Sequence, residues 1–106
     1  MDSQAPRTLT ESQICYGLLS TYPNFDAASI GSLAKKLAKM DADLQAEFAN
    51  WWHSGVIPTI SVEGYCIADL MATGKCFSPA AAFGILAWLR RDPEQAKTAL
   101  QEGPAM

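Results

Sequence analysis

The segment that most constrains what this chain can become runs from Ser78 to Arg91. Ser78 is a good helix N-cap, and Pro79 suits the first helical position, where the amide proton it lacks would have had no partner. From Ala80 to Leu89 there is then no charge and almost no polar group. On a helical projection Phe83, Ile85, Leu86, Trp88 and Leu89 cover well over half the circumference, so this helix cannot rest on a surface with one side in water. It is also too short to cross a bilayer, which takes roughly 20 apolar residues. The remaining chain must enclose it, and the sequence predicts a central helix over about 79–91. Ala80, Gly84, Ala87 and Arg91 form a narrow strip of mostly small residues along which a neighbour can come close. Arg90 and Arg91 suit the negative C-terminal end of the helix.

Enclosure takes apolar surface. Hydrophobic residues make up 49% of the 106 and charged residues 18%, which excludes a disordered or low-complexity chain and suffices for one core, not two. The expected organisation is a flexible tail over 1–9, one helical domain over 10–103 and a short tail over 104–106. A net charge of −3 and a pI near 4.9 disfavour attraction to phosphate backbones and anionic lipid, so neither nucleic acid nor membrane is expected as a partner. Residues 1–10 have neither the basic start nor the apolar run of an export signal, and a cytoplasmic location is expected. Cys15, Cys66 and Cys76 cannot all pair within one chain and are expected to stay reduced.

Start and stop signals place the other helices. Thr10 and Gln13 make a capping box, with Leu9 and Ile14 as its hydrophobic staple. Ile14, Cys15, Leu18, Leu19 and Tyr22 then form one apolar stripe, and Pro23 stops the helix. A second helix starts after Asp26, with Phe25 and Ile30 as staple; it buries Ile30, Leu33, Ala34, Leu37 and Ala38 and turns Lys35, Lys36 and Lys39 the other way. Asp41 is placed to cap a third, whose stripe is Leu44, Phe48, Trp51 and Trp52 and which Ser54 and Gly55 end. Residues 56–65 contain Pro58, Gly64 and an Ile60/Val62 alternation, which predicts an extended connector with at most one short strand, itself without a ladder partner. A short helix is expected around 66–73, with Ile67, Leu70 and Met71 inward and Gly74 after it. Asp92, Pro93 and Gln95 open a last helix that Gly103 and Pro104 close. The fold class predicted is all-α: a single compact bundle of five to six short helices around the central apolar one.

Chemistry-bearing residues are sparse. Cys15, His53, Cys66 and Cys76 have the residue types of a zinc site but not the close ligand pairs, since the nearest two cysteines are ten positions apart. No metal and no cofactor are expected. His53 sits in the last turn of its helix, where an exposed histidine complements the dipole, and nothing in the sequence brings it to a thiol. A small thiol and histidine enzyme is therefore the alternative class. Helix-turn-helix DNA binding is a second alternative, because the second and third helices have its apolar spacing; Asp41, Asp43 and Glu47 oppose it, since they stand where phosphates would lie.

The tryptophans stand out. Trp51 and Trp52 project about 100° apart on one helix, so burying both takes a wide apolar surface or a partner. With Ile57, Ile60, Val62 and Tyr65 of the adjoining connector they form the candidate binding patch. The expected function is a small protein-interaction module of adaptor, regulator or inhibitor type, without catalysis of its own, whose partner is another protein or a second copy of the chain.

Overall fold

The computed structural model describes residues 9–76 and 78–102; the expectations for tail residues 1–8 and 104–106, and for Gly103 and Pro104 as the end of the last helix, lie outside them. Among the described residues there are six helices, α1 (Glu11–Thr21), α2 (Ala27–Ala38), α3 (Ala42–Ser54), α4 (Ile67–Ala72), α5 (Pro79–Arg91) and α6 (Pro93–Glu102). One small antiparallel hairpin, β1 (Ser61–Val62) with β2 (Tyr65–Cys66), separates α3 from α4. The molecule is an all-α bundle.

Helix α5 is its axis. It packs against α2, α3, α4, α6 and both strands, and Ala80, Ala82, Phe83, Leu86 and Leu89 are fully buried. Ser78 Oγ accepts from the Ala81 amide at 3.2 Å, so cap and first-position proline act as the sequence predicts. The neighbour that uses the small-residue strip is α2. A Cβ added to Gly84 would lie 3.0 Å from Leu33 Cδ1, so the α2–α5 approach leaves no room there for a larger side chain without adjustment. Phe48 of α3 meets Phe83 edge-on, with ring centroids 5.1 Å apart, and Leu37, Leu44, Ile67 and Leu70 close the core around them.

The α1 capping box is complete: Thr10 Oγ1 accepts from the Gln13 amide at 3.1 Å, and Gln13 Oε1 accepts from the Thr10 amide at 2.9 Å. Leu9 packs on the core. Asp26 caps α2 by accepting from the Ser29 amide at 3.0 Å. Phe25, expected as that helix's staple, is instead 57% exposed and leans on the Tyr22 ring, with centroids 5.4 Å apart. Asp41 holds the N-cap position of α3, yet its carboxylate makes no cap hydrogen bond. Arg90 takes it, at 3.2 Å, and also binds Asp43 at 2.7 Å.

Residues 56–65 depart furthest from expectation. The Ile60/Val62 stretch does have a ladder partner: Ser61 pairs with Cys66 and Val62 with Tyr65. The loop residues Glu63 (φ 54°) and Gly64 (φ 84°) both have positive φ, as a type I′ hairpin turn requires. Val62 is consequently turned inward against α5. Helix α4 ends in a Schellman arrangement, with the Lys75 amide donating to the Leu70 carbonyl at 2.9 Å and the Gly74 amide to Met71 at 3.1 Å. Lys75 then extends its ammonium to the Leu100 carbonyl in the last turns of α6, at 2.7 Å. Among the described residues no charged or polar side chain is buried.

Candidate functional site

The last turns of α3 build an aromatic edge. Phe48 anchors it in the core, and the Trp51 and Trp52 rings flank Phe48 with centroid separations of 5.7 and 5.5 Å. The two indoles meet each other edge-on at 6.2 Å. Both are half-buried and packed on the core. Trp52 reaches α1 at a glycine: a Cβ on Gly17 would lie 2.3 Å from Trp52 Cζ2, far inside contact distance. Between α1 and the end of α3 lies a cavity of about 360 Å³, bordered by Gly17, Thr21, Tyr22, Trp51, Trp52 and Gly55. Gly55 ends α3 in the left-handed conformation (φ 78°). The next two side chains, Val56 and Ile57, are left 69% and 38% exposed.

The structure divides the six residues of the predicted patch. Trp51, Trp52 and Ile57 lie at this edge with surface to offer. Ile60 and Tyr65 are half-buried and packed on the core. Val62 is only 7% exposed and belongs to the core itself, because the hairpin's two-residue period turns it toward α5. Gly17 and Val56 were not visible as participants in the sequence. Gly17 reads only as a gap in the α1 stripe until the indole that fills it is known.

The thiols and the histidine form no joint centre. Cys76 is buried, and burial pushes its thiol pKa up, the opposite of what a nucleophile needs. Cys15 and Cys66 are half-buried free thiols, and His53 is exposed in the last turn of α3. Among the described residues no group of three or more His, Cys, Asp or Glu side chains is placed to hold a metal ion. Nor is any helix there long and apolar enough to cross a membrane.

A second feature lies at the start of α3, where α2 and α5 both end. Lys35, Lys36 and Lys39 of α2 and its following turn face Arg90 and Arg91 of α5 across a groove of about 390 Å³, floored by Met40, Leu44 and Ala87. Arg90 is committed to Asp41 and Asp43, and its guanidinium holds the Asp43 carboxyl below the usual carboxylate range. The acidic start of α3 is thus engaged by the chain's own α5. No protein family, no curated protein and no solved structure matches this chain.

Proposed function

We propose that this chain is a protein-interaction module whose aromatic edge receives an apolar anchor side chain from a partner protein, with no chemistry of its own. One observation carries the reading: Val56 and Ile57 stay in water immediately after Gly55, which borders one cavity with both tryptophans, whereas every other large aliphatic side chain among the described residues is buried or half-buried. Adjacent exposed aliphatics around a half-buried aromatic pocket have the form of an interface centre, where a few anchors carry most of the binding energy. With Val56 69% and Ile57 38% exposed, these side chains contribute less to folding than the buried core does. Binding can therefore be separated from stability.

The test is the double substitution Val56→Asp with Ile57→Asp. The melting curve should move by about 1 kcal/mol or less in equivalent stability, since a surface change costs up to about 0.5 kcal/mol and two are made. Photo-crosslinking from position 57 in the native host should label one protein, or a second copy of the chain, and the double variant should lose that partner in a pull-down. A partner held equally well by the double variant removes this edge from the reading. No crosslink at all, with a monomer by sedimentation, removes the interaction function.

A further inference from the structure

The basic groove is one end of a longer channel. Cavities lie in series along α5, and neighbouring ones share side chains. Beyond the cationic groove comes a cavity of about 330 Å³ between α2 and α5, bordered by Leu33, Gly84, Ile85 and Trp88, which has Lys36 and Arg91 in common with the first. A third, of about 260 Å³, shares Ala81 and Ile85 with the second and reaches Tyr22, the exposed Phe25 and Cys76. From Ser78 to Arg91 the channel follows the whole of α5, about 20 Å at 1.5 Å per residue. The end at Phe25 is mainly apolar, its one cation, Lys75, being engaged by the Leu100 carbonyl, and the other end is cationic.

The charge at that second end is concentrated. Five cations against Asp41 and the Asp43 that Arg90 also binds give this end a formal charge of +3, in a chain whose net charge is −3. Among the described residues Lys35, Lys36, Lys39 and Arg91 make no ion pair, whereas Lys97 is held by Glu63 and Arg90 by Asp41 and Asp43. Lysines in the last turn of α2 complement its dipole, but that role does not require the two arginines of a second helix to face them across a cavity.

We propose that this channel is a docking site for an amphipathic helix of a partner protein, its apolar stripe lying along Phe25, Ile85 and Trp88 and an acidic cluster at one end set among Lys35, Lys39 and Arg91. This surface shares only Tyr22 with the cavity of the aromatic edge and rests on other observations. The length matches three to four turns of helix, more than a small ligand fills. The floor of Met40, Leu44 and Ala87 offers apolar contact and no side-chain donor for sugar or base. A long polyanion would also run from the groove onto a surface of opposite preference, because the rest of the chain is acidic and screening extends only about 8 Å at physiological salt. A short acidic cluster stays among Lys35, Lys39 and Arg91, where the carboxylates of Asp41 and Asp43 are already held by Arg90.

Fluorescence anisotropy with a labelled synthetic peptide tests this on the full chain. The probe has leucines at helical spacing and a terminal run of glutamates; its companions carry lysines for the glutamates, or serines for the leucines. The expected result is saturable binding of the first peptide, weakened at least tenfold in either companion and in Lys35→Glu/Lys39→Glu/Arg91→Glu. The milder Lys35→Gln/Lys39→Gln/Arg91→Gln variant should show an intermediate loss, with unchanged circular dichroism in both. Val56→Asp/Ile57→Asp should bind as the unmodified chain does, so failure here and failure of the aromatic edge are distinguishable. Equal binding by the charge-reversed variant overturns the proposal. So does tighter binding of single-stranded DNA than of the peptide, or full retention of binding by the serine companion, which would leave charge attraction alone.

Discussion

Residues 56–57 and 60–65 are halves of one connector with similar aliphatic content and opposite fates. Val56 and Ile57 remain in water, while Ile60, Val62 and Tyr65 close on the core. Hydrophobicity does not separate them; backbone geometry does. Gly55 releases the first half from α3 in a left-handed turn, and Glu63 with Gly64 folds the second half back on itself, after which strand alternation decides which side chain points inward. Exposure at 56–57 is a property of two turns. A partner surface can therefore be kept next to a core segment without either disturbing the other.

The sharpest way to break this contrast is Val62→Asp. A carboxylate at a position buried against α5 without a cation should destabilise by several kcal/mol and leave the chain unfolded or molten by near-ultraviolet circular dichroism. If the melt barely moves, the hairpin is not core and the two halves are equivalent. Gly64→Ala comes next. At φ 84° a Cβ meets no neighbouring atom, so the cost is backbone strain alone, about 1 kcal/mol in chemical denaturation. Gly17→Ala probes the aromatic edge from the α1 side. Overpacking against Trp52, about 1–3 kcal/mol, competes with a helix-propensity gain of about 1, so a modest net loss should accompany a shift in tryptophan emission as the indole is displaced.

The smallest effect expected is electrostatic and lies outside the connector. Arg90 lowers the Asp43 pKa below its unfolded value, so the contribution is fully present above the ordinary carboxylate pKa of about 3.9 and is lost as pH falls through the lowered one. Both groups are well exposed, which limits the effect to a few tenths of a kcal/mol. Comparing Asp43→Asn with the unmodified chain between pH 6 and pH 2 should show the two stabilities converging at the acid end. A gap that persists at pH 2 would mean that packing, not charge, accounts for the pair.

The elements announced by local chemistry were legible in the sequence. Ser78 with Pro79 and Asp92 with Pro93 bracket α5 at Pro79–Arg91, and the Thr10/Gln13 box starts α1 where predicted. What stayed hidden depends on distant partners. Asp41 has the right identity and position for a cap, yet its carboxylate is taken by an arginine 49 residues away. Glu63-Gly64 is not one of the Asn-Gly or Asp-Gly pairs that signal a two-residue hairpin, and strands of two residues are too short to show alternation. Trp51 and Trp52 drew notice by their bulk. The channel did not, because its cations come from two helices that the sequence gives no reason to place side by side.

The junction between α5 and α6 has a consequence for how this chain tolerates change in length. Asp92 alone separates the two helices: its amide closes the end of α5 on the Trp88 carbonyl at 2.8 Å, and its carbonyl accepts from Ala96 to open α6 at 3.0 Å. A spliced-in residue there would rotate α6 by about 100° and carry Ala96 and Leu100 out of the core. Between Ile57 and Ile60, by contrast, no helical phase is at stake, so this is where an inserted tag or a grafted loop should leave the bundle intact.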